Sequence, residues 1–156
     1  MLVEPALYGV LRPTSLGQKY IAEESRWRDG KLARIRGGMD GVTIGRIIYD
    51  DSRPGTFEAF PEPRRRIIED NASTVRPILI NNWVDVPYAC VDARRLRMPV
   101  LLVEGEKTDS DMREINTQLL GCLPDARRVV LSNASHTIQF DAPEAMASTV
   151  VEFLAR

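Results

Sequence analysis

The sequence contains a single histidine and only two cysteines among its 156 residues. The two cysteines, Cys90 and Cys122, are too far apart in the sequence for a metal-binding or redox motif. One histidine and two separated cysteines do not supply the usual ligand set of a zinc site. We therefore predict no metal site, and we expect both cysteines to be reduced thiols.

Long apolar runs and an excess of charge of either sign are also missing. No run approaches the length that spans a bilayer, and the N-terminus lacks the basic region and apolar core of a signal peptide. A net charge of −1 and a pI near 5.9 argue against a surface for nucleic acid or anionic membrane. The three arginines at 64–66 have acidic neighbours and indicate a solvated helix face. We expect a cytoplasmic protein without nucleic-acid or membrane partners.

What the sequence does contain is one ordered pattern between Met98 and Phe140. Pro99–Val103 is a short apolar run, typical of a buried parallel strand. Gly105–Asp109 is a polar turn at the C-terminal end of that strand, where α/β sheets place their chemistry. A helical pattern follows, and Arg128–Leu131 is a second strand that leads into the loop Ser132–His136.

This order of elements resembles the C-terminal part of the α/β-hydrolase superfamily. In that family a strand ending in Gly-x-x-Asp is followed by a helix, a second strand and a small-residue loop with the catalytic histidine. Met1–Glu4 looks like the end of the sixth strand of the family, so five strands would precede Met1. The resemblance implies an α/β fold that is the C-terminal part of an α/β-hydrolase, with about three parallel strands and a mainly helical cap.

Residues 8–89 resemble the helical cap that this family inserts between its sixth and seventh strands. On this interpretation they separate two core segments, 1–7 and 90–156. The predicted helices of the cap are Leu16–Ile35, Gly41–Tyr49, Glu62–Val75 and a short piece at Ile78–Trp83.

Eight of the ten aromatic residues lie in that block, if Tyr8 and Tyr88 at its margins are counted. Large aromatics in a cap have two explanations. They line a pocket for an apolar substrate, or they form the small core of the cap itself. The candidate substrate-binding residues are Trp27, Phe57, Phe60 and Trp83.

The last helix is predicted from its capping pattern. Asp141 suits the N-cap position, and Glu144 follows it at the spacing of a capping box. Its apolar residues, which we expect to face the sheet, are Met146, Val150, Phe153 and Leu154.

His136 is the candidate catalytic residue, because an imidazole titrates near neutrality and can take a proton from a nucleophile and return it to a leaving group. In the family an Asp at the fourth position of Gly-x-x-Asp orients the histidine. Here that position is Thr108, and Asp109 comes one residue later. Some members of the family use a carboxylate at the end of the sixth strand, where Glu4 stands. Glu4 and Asp109 are therefore equal candidates for the orienting acid.

The nucleophile of the family is missing, since the sequence has no Gly-x-Ser-x-Gly elbow. The nearest string, Gly41–Gly45 with Thr43 at its centre, follows no strand and has the spacing of a helix. In the family the elbow and the oxyanion hole precede the sixth strand. We therefore interpret the chain as a C-terminal fragment of an α/β-hydrolase for an ester or similar acyl bond of a small apolar substrate. It would need no cofactor and would be inactive alone.

Two other interpretations remain open. The chain could be a non-catalytic module that binds a small ligand or associates with itself, because the Met1–Glu4 strand would present an open edge. Alternatively, it is an unrelated α/β domain in which His136 is a core residue whose hydrogen bonds are satisfied.

Overall fold

The computed structural model describes residues 1–50 and 53–155. In this part of the chain three strands and nine α-helices alternate with two short 3₁₀ helices, Tyr8–Leu11 and Trp83–Asp85. In chain order the strands and α-helices are β1 (Leu2–Val3), α1 (Ser15–Arg34), α2 (Gly41–Tyr49), α3 (Thr56–Ala59), α4 (Glu62–Asp70), α5 (Ala72–Ile80), α6 (Cys90–Ala93), β2 (Val100–Gly105), α7 (Ser110–Cys122), β3 (Ala126–Leu131), α8 (Ile138–Asp141) and α9 (Pro143–Leu154).

The three strands form one parallel sheet in the order β1-β2-β3. Leu2 pairs with Leu102 and Val103 pairs with Val129, so β2 is the central strand. Every residue of β2 is buried, as is typical of a parallel strand that is covered on both faces. The prediction of an α/β fold with about three parallel strands is confirmed.

Apolar side chains from one face of the sheet and from the chain after β3 form a common core. The buried members are Leu101, Val103, Leu131, Ala134 and Ile138. Because successive side chains of a strand point to opposite faces, Leu101 and Val103 reach this core together. Ala134 and Ile138, two residues before and two residues after His136, are thus packed in the core of the sheet unit.

The described chain forms two compact units. One contains Met1–Ile21 and Val84–Arg156, and the other contains Ala22–Trp83. Residues 8–21 and 84–89, which the sequence assigns to the inserted block, belong to the unit that holds the sheet. The exact boundaries of the cap, 8 and 89, stay a prediction.

The second unit is helical and has its own core. Its buried residues are Ile35, Ile44, Ile47, Ala72 and Leu79. Lys31 is only 1% exposed, and its Nζ donates to the carbonyl oxygens of Ile47 and, at 3.3 Å, Ile48. These carbonyls lie in the last turn of α2, where a helix has no further N–H groups of its own to offer, so the buried ammonium binds them at the negative end of the helix dipole.

Two helices of this unit differ from their predicted bounds. The predicted helix Glu62–Val75 is interrupted, and α4 and α5 meet at Asn71, whose side-chain amide donates to the carbonyl of Ile67 at 2.8 Å. A local bond of this kind competes with helix continuation. Conversely, α5 runs through Pro77, where the sequence predicts a break, although proline has no N–H to give to the helix.

The prediction for the last helix is partly wrong. Asp141 is the last residue of α8, and the N-cap of α9 is Ala142, so no capping box forms with Glu144. Met146 and Phe153 pack on the sheet core as expected, whereas Leu154 is 75% exposed. Asp141 is engaged elsewhere, in the loop that carries the histidine.

Cys90 and Cys122 form a disulfide that joins α6 to the end of α7, with their Cα atoms 5.2 Å apart. The expectation of reduced thiols is therefore wrong, because 32 residues of sequence separation say nothing about distance in the fold. Disulfides are typical of oxidising compartments, so this bond does not support the cytoplasmic location, which stays a prediction. Among the described residues no helix has both the length and the apolar character to cross a membrane.

Candidate acid–base site

Glu4 and His136 meet at the carboxyl edge of the sheet. Glu4 directly follows β1, and His136 lies in the loop after β3. Because β1 and β3 are parallel and flank β2, both residues lie at the same edge of the sheet. His136 Nδ1 is 3.2 Å from Glu4 Oε2. The carboxylate side chain is 2% exposed, whereas the imidazole is 52% exposed. A buried carboxylate thus holds one nitrogen of a ring that remains accessible to solvent.

The Glu4 carboxylate has two further hydrogen-bond donors from the loop that follows β2. The backbone N–H of Gly105 donates to Oε1 at 2.7 Å, and the hydroxyl of Thr108 donates to Oε2 at 2.5 Å. An ionised carboxylate only accepts hydrogen bonds, so the imidazole places its proton on Nδ1 toward Glu4. Its Nε2 is then left as the acceptor for a proton from another group.

The backbone at Glu4 is in an unusual conformation. Its φ of 43° lies in the left-handed region, which a side chain such as glutamate seldom adopts. Its N–H still donates to the carbonyl of Val103 at 3.1 Å, so the chain turns immediately after the last ladder bond. Such a conformation costs on the order of 1–3 kcal/mol and persists where the surroundings hold it. Here the three bonds to the carboxylate hold it.

The same contacts shift both pKa values. Burial raises the pKa of Glu4, but the hydrogen bonds from His136, Thr108 and Gly105 outweigh burial, and the net pKa is lowered from 4.5. The hydrogen bond to Glu4 is the main cause that raises the pKa of His136 above 6.5. Burial opposes this rise, while the negative charges of Glu4, Asp109 and Asp111 add to it. The pair therefore favours a carboxylate facing a readily protonated imidazole.

The loop that carries His136 is held against the loop that follows β2. The N–H of Lys107 donates to the carbonyl of Ala134 at 2.8 Å, and the N–H of Asn133 donates to the Glu106 carboxylate at 2.8 Å. A Cβ added at Gly105 would lie 2.5 Å from the carbonyl oxygens of both Ala134 and Ser135. Gly105 thus permits a close approach of the two loops that another residue would prevent.

Asp109, the other candidate acid, lies at the N-cap of α7 and is exposed. Its charge raises the pKa of His136, but within the described residues it makes no hydrogen bond to the imidazole. Thr108, which occupies the Asp position of the family's pattern, is buried and bonds to Glu4. The geometry therefore brings Glu4, and not Asp109, to His136.

The four candidate substrate-binding aromatics belong to the second unit. Trp27 and Trp83 pack edge to face at 6.3 Å, and Phe60 packs edge to face on Tyr49 at 5.1 Å. Phe57 is buried, and its ring is so close to Gly45 that a Cβ there would overlap it. A cavity of about 500 Å³ in this unit is bordered by none of the four, whereas another of about 300 Å³ is bordered by Phe60. A role for Trp27, Phe57, Phe60 and Trp83 in substrate binding stays a prediction.

Thr43 lies in the first turn of α2. Its N–H and its hydroxyl donate to the two carboxylate oxygens of Asp40, at 2.9 and 2.7 Å, and Asp40 is the N-cap of the helix. This is a helix cap and not a strained turn between a strand and a helix. Among the described residues, no group of three or more His, Cys, Asp and Glu side chains is arranged to hold a metal ion.

Two residues of the site were missed in the sequence. Thr108 departs from the family's acid position, but its hydroxyl donates to a carboxylate from another strand. The sequence favours a helix cap at Asp141, but its carboxylate instead accepts from the N–H of Ser135 at 2.8 Å. The sequence signal for this contact is that Asp141 follows His136 by five residues and ends the one-turn helix α8.

Comparison with known proteins agrees with the fold. No family model and no curated protein matches the sequence. Among solved structures, an α/β hydrolase enzyme from a lagoon-sediment metagenome of Mar Chica, Morocco, is similar at 16% identity, with a TM-score of 0.46, over 60% of this chain and 43% of its own. A candidate non-heme bromoperoxidase, BpoC of Mycobacterium tuberculosis H37Rv, is similar at 16% identity and a TM-score of 0.53, over 91% of this chain and 53% of its own.

A third structure, E-2-(acetamidomethylene)succinate hydrolase, is similar at 16% identity and a TM-score of 0.50, over 84% of this chain and 53% of its own. The chain thus spans about half the length of these structures. At this level of identity the likeness concerns the fold. The chain has part of an α/β-hydrolase fold, as the resemblance in the sequence predicts.

Gly105→Ala is expected to destabilise the sheet unit by about 1–3 kcal/mol, because the added methyl overlaps the carbonyls of residues 134 and 135. Gly121→Ala in α7 is the matched control, since a Cβ there meets nothing within 4 Å and alanine favours a helix. Urea unfolding of the two variants measures both effects. Equal stability of the two variants would show that the loops do not depend on Gly105.

The stabilising effect of the Glu4–His136 pair is expected to peak between pH 4.5 and 6.5, the ordinary pKa values of the two groups. Because the pKa of His136 is raised in the fold, its contribution is complete below 6.5 and is lost as the pH rises through the folded-state pKa. Because the pKa of Glu4 is lowered, its contribution is complete above 4.5 and is lost as the pH falls through its folded-state pKa.

The measurement is the free energy of unfolding of the unsubstituted chain minus that of Glu4→Gln, followed across the pH range. Proton NMR titration of the only histidine gives its pKa directly. A difference in unfolding free energy that does not vary with pH would contradict the coupling of the two groups.

Proposed function

We propose that this chain supplies the acid–base half of an α/β-hydrolase site that acts on an ester or similar acyl bond. His136 is the general base and then the general acid, and Glu4 orients it. The nucleophile and the oxyanion donors come from polypeptide outside these 156 residues. The chain alone is then inactive in acyl transfer, because the groups that stabilise the tetrahedral intermediate are not on it.

The observation that carries this proposal is the contact of His136 Nδ1 with Glu4 Oε2 at 3.2 Å. The contact leaves Nε2 as the acceptor of a ring that is about half exposed, so a hydroxyl nucleophile can give its proton to Nε2. The imidazolium that forms is stabilised by the buried carboxylate, which also fixes the tautomer. The proton on Nε2 then passes to the leaving group. In the second half of the reaction a water gives a proton to Nε2 while its oxygen attacks the acyl carbon, and the proton returns to the oxygen of the nucleophile as the carboxylic acid leaves.

Glu4 is proposed as the acid in preference to Asp109 for two reasons. It touches the imidazole, and it also accepts hydrogen bonds from Gly105 and Thr108, so its position is fixed before substrate binds. Asp109 is exposed to water, which weakens its effect on the imidazole. A small molecule is the proposed substrate class, with an apolar acyl part, and no cofactor takes part.

In the chain extended by the coding sequence upstream of Met1, His136→Ala is expected to lower kcat for p-nitrophenyl ester hydrolysis by about 10⁴-fold or more, and Glu4→Gln by about 10²–10⁴-fold. The 156-residue chain alone should remain unlabelled by a fluorophosphonate probe, because that probe requires an activated nucleophile. Steady-state kinetics and gel detection of the label provide the two measurements.

Glu144→Gln is the control for these variants, since it removes an exposed carboxylate from α9 without touching the site. Full activity of His136→Ala would end the proposal. Loss of activity in Asp109→Asn together with retention in Glu4→Gln would reassign the orienting acid to Asp109.

A second candidate function is self-association, and the edge of the sheet favours it. Within the described residues β1 pairs with β2 only, so its other edge carries unpaired backbone groups. A second copy of the chain can add a strand there. On this reading the chain is a non-catalytic module that binds a small ligand or its own copies.

Self-association predicts that the weight-average mass rises with concentration in sedimentation equilibrium in the micromolar range. Val3→Pro is the informative variant, because proline removes one N–H from β1 and disfavours its ladder. A mass that equals the monomer at all concentrations would contradict the second candidate and would leave the acid–base proposal unaffected.

A further inference from the structure

The residues on both sides of His136 are connected by a second set of hydrogen bonds, distinct from the contact with Glu4. Asp141 Oδ2 accepts from the N–H of Ser135 at 2.8 Å and from the Ser135 hydroxyl at 2.5 Å. The hydroxyls of Ser135 and Thr137 are 3.1 Å apart, and the N–H of Thr137 donates to the Ser135 hydroxyl at 3.3 Å. One carboxylate oxygen therefore fixes the backbone and side chain of Ser135, which in turn contacts Thr137.

This network spans the part of the loop that the apolar core does not hold. Ala134 and Ile138 are fully buried in the sheet core, whereas residues 135–137 between them are at least partly exposed. The backbone torsions of these three residues decide where the imidazole points. Without a constraint they would sample several conformations, and the Glu4 contact would compete with that freedom.

We propose that Asp141 is a positioning residue for His136, which holds the backbone before the histidine so that the ring meets Glu4. This inference deepens the proposed acid–base function and rests on it for its catalytic meaning. Asp141 does not touch the imidazole in the contacts described above. It acts through Ser135, and hydrogen bonds to an ionised carboxylate are stronger than those between neutral groups.

A positioning role must be separated from a direct effect of charge. Removing Asp141 also removes a negative charge near His136, and either effect lowers the pKa of the imidazole. The two differ in their dependence on Glu4. A positioning effect operates through the Glu4–His136 bond and disappears when that bond is absent, whereas a direct charge effect persists in a Glu4→Gln background.

The experiment is a double-mutant cycle read out by the pKa of His136. Four chains are titrated by proton NMR: the unsubstituted chain, Asp141→Ala, Glu4→Gln and the double variant. The chain has one histidine, so its ring signals need no assignment. We expect Asp141→Ala to lower the pKa of His136 when Glu4 is present and to leave it unchanged in Glu4→Gln. The same lowering in both backgrounds, or no lowering in either, would overturn the proposal.

Asp141→Asn gives a second, milder test if the alanine variant folds poorly. An asparagine oxygen can still accept from Ser135, so positioning predicts a smaller decrease of the pKa than in Asp141→Ala. A charge effect predicts equal decreases, which would overturn the proposal. Glu144→Gln, three residues further on, is the control and should leave the pKa of His136 unchanged. Exchange of the Ser135 amide proton should accelerate in Asp141→Ala only.

These measurements need no catalysis. If the extended chain proves inactive on every ester tested, the proposed function fails while the coupling among Asp141, Glu4 and His136 can still be observed. If the coupling is absent while His136→Ala abolishes hydrolysis, the positioning role fails and the proposed function remains.

Discussion

The burial of the Glu4 carboxylate is the constraint on which the rest of the site depends. An ionised carboxylate that is removed from water must find hydrogen-bond donors inside the protein, since an unpaired buried charge is strongly destabilising. Glu4 obtains them from Gly105, Thr108 and His136, which lie more than 100 residues away in the sequence. The loops after β2 and β3 therefore have one arrangement in which this charge is satisfied.

That arrangement in turn dictates which residues the two loops tolerate. A close contact between the loops requires glycine at 105, and a hydroxyl at 108 fills the place where a second acid would repel Glu4. Asp141 accepts a hydrogen bond from Ser135, so two carboxylates contact the segment around the histidine. One contacts the ring, and the other contacts the backbone that carries the ring.

The sheet was predictable because apolar runs such as Val100–Val103 have one stable environment, the inside of a parallel sheet. The location of the histidine loop followed from the order of elements. The contact of Glu4, rather than Asp109, with His136 did not follow from that order, because it depends on a left-handed turn at Glu4 and on a contact between strand ends that spacing alone does not encode. The Cys90–Cys122 disulfide is not predictable from spacing for the same reason. The contact of Asp141 with Ser135 is not predictable either, because helix caps and hydrogen bonds within loops use the same residue types.

The pairing of β1 with β2 has a consequence for the order in which the chain folds. Leu2 has its partner at Leu102, so the first strand is synthesised about a hundred residues before it can join the sheet. At roughly 5–20 residues per second β1 then waits on the order of 5–20 s for its partner β2. The entropy of closing so long a loop must be overcome before any ladder bond compensates for it. The helices of Ala22–Trp83 lie between the two strands in the sequence, so they can form during that interval, before β1 and β2 meet.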